Sequence, residues 1–133
     1  MSQPQPILIR SAIVKIGANT VGLARGVEIT EEWETVEAPV FGSENPLRAV
    51  TFKRVSFRIN RLYVKNDAVL RDAYNNGAVF DLDFYPEGES AGKEKWTVKD
   101  ALLTRLVKTA EYGRFIEETA AGTGKEVQYT VIS

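Results

Sequence analysis

From Arg54 to Tyr63 the chain alternates with a period of two. Val55, Phe57, Ile59 and Tyr63 fall on one parity, and Arg54, Ser56, Arg58 and Asn60 on the other. Successive side chains of a strand point to opposite faces, so this is a strand with one face on a core and the other in water. The period recurs. Phe80, Leu82 and Phe84 alternate with Asp81 and Asp83. Val27, Ile29 and Trp33 share a parity opposite Glu28, Thr30, Glu32 and Glu34, and Val127, Tyr129 and Val131 share one face of a final strand. A 3.6-residue stripe occurs once, as Val69, Leu70, Ala73 and Tyr74; Asn66 or Asp67 can cap that helix and Gly77 can end it. These patterns predict a mainly β chain: an antiparallel β-sandwich or barrel of seven to eight strands with one short α-helix packed on its side. The length of 133 residues fits one domain spanning 1–133.

The rest of the chain reads as follows. An apolar run over 7–16, a turn over 17–20 and a return to Ala24 make an opening hairpin, and Gly26 breaks the chain before the acidic strand. A strand over 78–85 ends at Pro86, and 87–94 is a loop. The strand over 95–109 has its alternation disturbed by Leu102 and Leu103, which predicts a bulge or a change of face near 100–103. Tyr112, Phe115 and Ile116 fit either a strand or a short helix, and 120–124 reads as a turn. Residues 1–6 read as an extended arm, because Pro4 and Pro6 fix φ and donate no hydrogen bond. That arm lacks the basic and apolar regions of a signal peptide, and no run approaches the roughly 20 apolar residues of a membrane span, so no membrane partner is expected.

The chain has no histidine and no cysteine. It therefore lacks the usual acid–base residue near neutral pH, the commonest metal ligand, and any disulfide or thiolate site. Gly122-Thr123-Gly124-Lys125 resembles the end of a phosphate-binding loop. The pattern's first glycine would be Thr119, however, and Glu126 follows the lysine, so the segment reads as a hairpin turn. Asp81 and Asp83 read as a solvated strand face opposite basic residues, and Glu87-Gly88-Glu89 lacks the spacing of a calcium loop. Ser11, Ser43, Ser56 and Ser90 have no histidine to activate them. No catalytic, cofactor or metal site is expected, and the chain does not read as an enzyme.

Charge is sorted along the chain instead. Over 25–47 stand Glu28, Glu31, Glu32, Glu34, Glu37 and Glu44 against Arg25 alone. Over 48–71 stand Arg48, Lys53, Arg54, Arg58, Arg61, Lys65 and Arg71 against Asp67 alone. A Pro/Gly loop over 38–47 joins the two ribbons. The net charge of −1 excludes a general pull toward nucleic acid or anionic membrane. Arg54, Arg58 and Arg61 with Phe52, Phe57 and Tyr63 suggest a strand-based nucleic-acid binder, yet Phe57 and Tyr63 share the core parity. The arginines' other partner is the acidic ribbon of the same length, within a subunit or between subunits, where opposed charges set register. An alternative reading is a small β-barrel binding module for a ligand or single-stranded nucleic acid.

The order of elements resembles a known family. An opening hairpin carries Lys15-Ile16-Gly17-Ala18-Asn19-Thr20-Val21-Gly22. An acidic strand and a long arm with Phe41-Gly42-Ser43 follow, then Val55-Ser56-Phe57-Arg58-Ile59, a short helix, Phe80-Asp81-Leu82-Asp83-Phe84, a polar loop and a long strand from Trp96. Over about residues 7–132 this is similar to the tail tube proteins of tailed bacteriophages, which are related to the tube proteins of contractile injection systems and type VI secretion. The resemblance implies six copies in a ring, stacked rings, and an inner barrel continuous across subunits whose lumen conducts DNA during ejection. It implies an inter-ring loop with Pro39, Val40, Phe41, Gly42, Pro46 and Leu47. The lumen candidates, taken by strand parity, are Glu28, Thr30, Glu32, Ser56, Asp81, Asp83, Thr97 and Lys99; Arg54, Arg58 and Glu34 are subunit-contact charges. The implied partners are further copies of the chain, tape measure, baseplate or tail-tip and tail terminator proteins, a sheath if the tail contracts, and DNA passing without specific binding. The implied location is the virion tail, assembled in the host cytoplasm.

Overall fold

The computed structural model describes residues 6–9, 12–42 and 44–133. The expected N-terminal arm lies outside these residues except for Pro6, as do Arg10, Ser11 and Ser43 of the expected hairpin and loop. The described elements are β1 (Ile13–Ile16), β2 (Asn19–Val21), β3 (Ala24–Ala38), β4 (Leu47–Leu62), α1 (Val69–Asn76), β5 (Phe80–Tyr85), β6 (Glu94–Thr109), β7 (Glu117–Gly124) and β8 (Glu126–Val131). All the strand pairs are antiparallel, in the order β2-β1-β5-β6-β7-β4-β3, with β8 added on β6. The fold is thus the expected mainly β one with one short helix.

Strand β6 divides the sheet. Its residues 94–99 pair with β8, and 96–101 with β5, whereas 102–109 pair with β7. Asp100 between them has φ +50°, a left-handed conformation that is uncommon outside Gly, Asn and Asp. This is the face change that the leucine pair predicts. The sheet folds over at this point into two facing halves. Val14, Ile16, Leu82, Phe84 and Val98 from one half pack into a single buried cluster with Val55, Phe57, Ile59, Leu103 and Ala120 from the other. Helix α1 touches β6 and β2 and inserts Leu70, fully buried, into the same cluster. The amide of Val69 donates to Asp67 Oδ1 at 3.0 Å, and Gly77 ends the helix at φ +62°.

Several expectations are corrected. The apolar run over 7–16 contributes a strand only at Ile13–Ile16, and the return stops at Val21, where Gly22 and Leu23 turn the chain into β3. Gly26 does not break the chain. It lies inside β3, where the pairing with β4 shifts between Ala24 and Gly26, so the irregularity is absorbed as a bulge. Tyr74 is exposed instead of joining the helix's buried stripe. Tyr112, Phe115 and Ile116 belong to a loop, not to a strand or helix.

The largest correction is at 120–124, which is a central strand and not a turn. β7 lies between β6 and β4, and its small residues reflect a packing limit. A Cβ at Gly122 would overlap the carbonyl oxygen of Leu102 and stand 2.8 Å from Phe57 Cζ; one at Gly124 would overlap Val98 Cγ1. Neighbours within its own half-sheet leave room only for glycine at 122, and Val98 of the facing half does so at 124.

Arg61 is likewise not part of a basic face. Its side chain is 0% exposed and lies on the core parity of β4. Its Nε donates to Glu118 Oε1 at 2.8 Å, and its Nη1 stands 3.0 Å from Asp67 Oδ2. Glu118 is also buried and is its register partner on β7. Burial alone would raise the Asp67 carboxyl, but the Val69 amide and the Arg61 guanidinium outweigh it and hold the group below its ordinary value.

Candidate self-assembly interface

The acidic and basic ribbons are partners in one hairpin. β3 and β4 pair from Ala24↔Arg61 to Ala38↔Leu47, with Glu28 opposite Arg58, Glu32 opposite Arg54 and Glu37 opposite Arg48. Arg48 Nε lies 2.8 Å from Glu37 Oε1 and Lys53 Nζ lies 3.2 Å from Glu31 Oε1, while Arg54 pairs with Glu34 across a diagonal. These pairs are exposed, so each contributes little to stability, about 0–1 kcal/mol. Their effect is on register.

Only the lower part of this hairpin belongs to the body. β4 pairs with β7 over 55–62, and residues 47–54 have β3 as their sole strand partner among the described residues. Those residues and 32–38 opposite them form a free two-stranded arm. At about 3.4 Å per residue it projects roughly 27 Å beyond the body. The arm carries exposed Trp33, Val36, Leu47, Val50 and Phe52 along its sides. At its tip lies the expected inter-ring loop. Pro39, Val40, Gly42, Pro46 and Leu47 are exposed there, and Phe41 is 107% exposed. A row of apolar side chains this open is the mark of a surface that another protein covers.

The opposite end of the body carries a second apolar group. β6 ends at Thr109 opposite Glu117, and the loop 110–116 presents Tyr112, 106% exposed, Phe115 and Ile116; Leu23 is at the same end, where its carbonyl accepts from the Leu62 amide. Phe115 and Arg114 border a cleft of about 480 Å³ with Arg25, Leu62 and Glu117. The arm tip and this loop lie at opposite ends of the same strands, as a head and a tail.

The four strands β6 (102–109), β7, β4 and β3 make a half-sheet with two free edges. β3 has no partner beyond β4, and 102–109 of β6 none beyond β7, among the described residues. The outward face of this half carries Glu28, Thr30, Glu32 and Glu34 on β3, Arg54, Ser56, Arg58 and Asn60 on β4, and Thr119, Ala121 and Thr123 on β7, with Arg105 and Val107 on β6. The face is polar and balanced in charge.

The structure does not bring all eight lumen candidates together. Glu28, Thr30, Glu32 and Ser56 share this outward face. Asp81, Asp83, Thr97 and Lys99 sit on the outward face of the other half, across the core. There Lys99 Nζ donates to Asp81 Oδ2 at 3.2 Å, Thr97 Oγ1 donates to Asp83 Oδ1 at 2.8 Å, and Thr97 is buried. Lys15 donates to Glu89 at 2.8 Å, which raises its pKa. Near the root of the arm, burial pushes the Tyr129 phenol up, and Glu31 adds to this against Lys53. Arg54 and Glu34, expected as subunit contacts, pair with each other inside the chain, while Arg58 is exposed opposite Glu28. No group of three or more metal-ligating acids occurs among the described residues, and no described helix is long and apolar enough to cross a membrane. Sequence reasoning missed Arg105, Tyr112 and Phe115 as surface features; the signal for the last two is two aromatics within a polar loop.

No protein-family model matches the chain, and no curated protein matches it. Solved structures do. A chain of the sheath/tube terminator of the PVC extracellular contractile injection system superposes with a TM-score of 0.78, over 97% of this chain and 99% of that one, at 14% identity. The SPP1 tail tube superposes with a TM-score of 0.76, over 96% and 81%, at 10% identity. A chain of the six-fold symmetric tail of the empty GTA particle superposes with a TM-score of 0.67, over 99% and 100%, at 13% identity. The likeness is one of fold: the chain has the tail-tube fold.

Proposed function

We propose that the chain is a non-catalytic, self-assembling subunit of a viral tail tube, six copies to a ring, with rings stacked by the arm. The observation that carries this reading is the half-sheet with two free edges that ends in a projecting arm. β3 runs opposite to 102–109 of β6, so rotating the chain about an axis brings these edges together as an antiparallel pair. Four strands from each of six copies close into a barrel of roughly 24 strands, beyond the 16–18 that already enclose an aqueous channel. Closure removes both free edges, each a liability on a lone subunit. The six-fold tail among the similar structures supports the count.

In this reading Glu28, Thr30, Glu32 and Ser56 line the lumen, and Asp81, Asp83, Thr97 and Lys99 lie on the outside of the tube, where a sheath would sit. The arm with Pro39, Val40, Phe41, Gly42, Pro46 and Leu47 reaches along the next ring, whose loop 110–116 offers Tyr112 and Phe115 to its apolar sides. A charge-balanced bore lets DNA pass without holding it. A terminator, a baseplate or tail tip, and a tape measure protein complete the assembly, and the PVC terminator among the similar structures supports the first of these. The chain then belongs to the tail of a virion assembled in the host cytoplasm. Electron microscopy of the purified protein over a rising concentration series tests the reading. Rings or tubes are expected. A strictly monomeric protein at every concentration and salt refutes it, and salt-dependent retention of a labelled oligonucleotide by that monomer points to the binding-module alternative.

A further inference from the structure

We infer that Arg58 and Arg105 of one subunit form an oxyanion site whose ligand is a phosphate group of the DNA backbone. DNA as the source rests on the tube reading above; the site itself belongs to the single chain. Pairing places Ala121 of β7 opposite Arg58 of β4 on one side and opposite Arg105 of β6 on the other, with Glu28 of β3 beyond Arg58. Directly opposed residues share a face, so this row lies on the outward face of the half-sheet. The shift in pairing between Leu103 and Arg105 re-aims Arg105 onto that face. Two strand spacings, about 10 Å, separate the arginines. The residue between them is only an alanine, so the space above it is open. A cleft of about 170 Å³ lies there, lined by Arg58, Arg105, Val107, Thr119 and Ala121.

Both arginines are exposed, and neither makes an ion pair among the described residues. Thr119 donates its hydroxyl proton to Asn60 Oδ1 at 2.9 Å, so the donors that line the cleft are the two guanidinium groups. Two like charges with no acid between them repel, and an anion in the gap removes that repulsion. A guanidinium carries five N–H donors in a planar fork that matches phosphate oxygens. An acid on the far side of each arginine therefore leaves donors for an anion between them. Glu28 stands there beside Arg58, and the β3 acids of the next copy stand there beside Arg105 once the ring closes. Those acids keep the contact weak, and a phosphate contact carries no base information. DNA is thus touched at every ring, but neither read nor held.

Titration of the dissociated subunit with inorganic phosphate tests the site, read by NMR at the arginine Nε–H signals and compared with chloride at equal ionic strength. The Arg58 and Arg105 signals should move together with one midpoint. Arg105→Gln should weaken the response of Arg58 severalfold, and Arg58→Gln that of Arg105. Arg105→Lys should fall between, because an ammonium keeps the charge and loses the fork. Arg71→Gln removes an exposed arginine of α1 that also lacks an ion pair among the described residues, and it should change nothing. If Arg58 and Arg105 respond no more to phosphate than to chloride, or Arg105→Gln leaves the Arg58 response intact, the site is overturned. If the unmodified chain forms no rings, the tube reading fails and DNA as the ligand fails with it, while the phosphate response still decides the site. If tubes form and retain polyglutamate as well as a short DNA duplex, or retain the duplex equally with Arg105→Gln, DNA as the ligand alone is overturned.

Discussion

Replacing Glu118 by glutamine removes one charge from the buried Arg61 cluster and almost no volume. Arg61 keeps Asp67 Oδ2 at 3.0 Å but loses the carboxylate that faces its Nε at 2.8 Å and its Nη2 at 2.7 Å. Its side chain is fully buried, so water does not replace the lost charge. Removing one partner of a buried ion pair costs about 3–5 kcal/mol. The glutamine oxygen still accepts from Nε and Asp67 stays in place, so the expected loss falls below that range, at about 2–3 kcal/mol. Lys108, 3.8 Å from the other carboxylate oxygen, is exposed and adds little. Against a total of about 5–15 kcal/mol this is a large fraction, and it lowers Tm by roughly 10 °C. Urea unfolding of the dissociated subunit, followed by tryptophan fluorescence, measures it. The neighbouring Glu117→Gln is the control, because Glu117 meets Arg25 at 2.6 Å with both side chains exposed, and it should shift stability by less than about 1 kcal/mol. If the two glutamine variants unfold at the same midpoint, the reasoning from burial is wrong.

Gly122→Ala should destabilise the subunit by at least about 1–3 kcal/mol, read as a lower urea midpoint, because its methyl group overlaps the Leu102 carbonyl oxygen. Replacing 39–46 by a two-residue Asn-Gly turn should leave the subunit's urea midpoint unchanged while abolishing tubes in electron micrographs. Changing Tyr112 and Phe115 together to serine should spare single rings and reduce their stacking, scored as mean tube length. Asp67 titrates below its ordinary value in the folded chain, so its contribution is fully present above the unfolded carboxylate value near 4 and is lost as pH falls through the lower folded one. Asp67→Asn should therefore flatten the acid limb of a stability-versus-pH curve, and an unaltered limb would refute the assignment.

Where each side chain faced either core or water, the alternation was readable. Val55, Phe57 and Ile59 are buried, with Ser56, Arg58 and Asn60 between them exposed. β7 was not readable, because Ala120, Ala121, Gly122 and Gly124 have the composition of a turn. The two glycines are required because Leu102 and Phe57 crowd Gly122 and Val98 crowds Gly124, contacts between segments distant in sequence. Arg61 was misplaced for the converse reason. Its parity assigned it to the core, but burying an arginine requires acids, and those come from Glu118 and Asp67 on other elements. Among the surface features, the exposed loop at 38–47 was readable from Pro39, Gly42 and Pro46. The division of the lumen candidates was not, because strand parity gives a face for each strand and not which half-sheet that strand joins. Arg105 was hidden by the shift in pairing between Leu103 and Arg105, beyond which counting by twos no longer assigns a face.

The separation of charge between edges has a consequence for symmetry. A free β3 edge could pair with a second β3, and a free β6 edge with a second β6; either contact is isologous and ends at a dimer. An antiparallel β3–β3 contact sets the row Glu28, Glu32 and Glu34 against itself, and a β6–β6 contact sets Arg105 against itself. Like charges directly opposite destabilise a strand pair. Only the heterologous contact, β6 to β3, joins opposite signs, and heterologous contacts are the kind that propagate around a ring. The sorting of acids and bases between strands thus disfavours the two dead-end pairings as much as it favours the productive one. For that reason the reversal Glu32→Arg should remove part of the repulsion in the β3–β3 contact, and native mass spectrometry of that variant should show dimers where the unmodified subunit shows none.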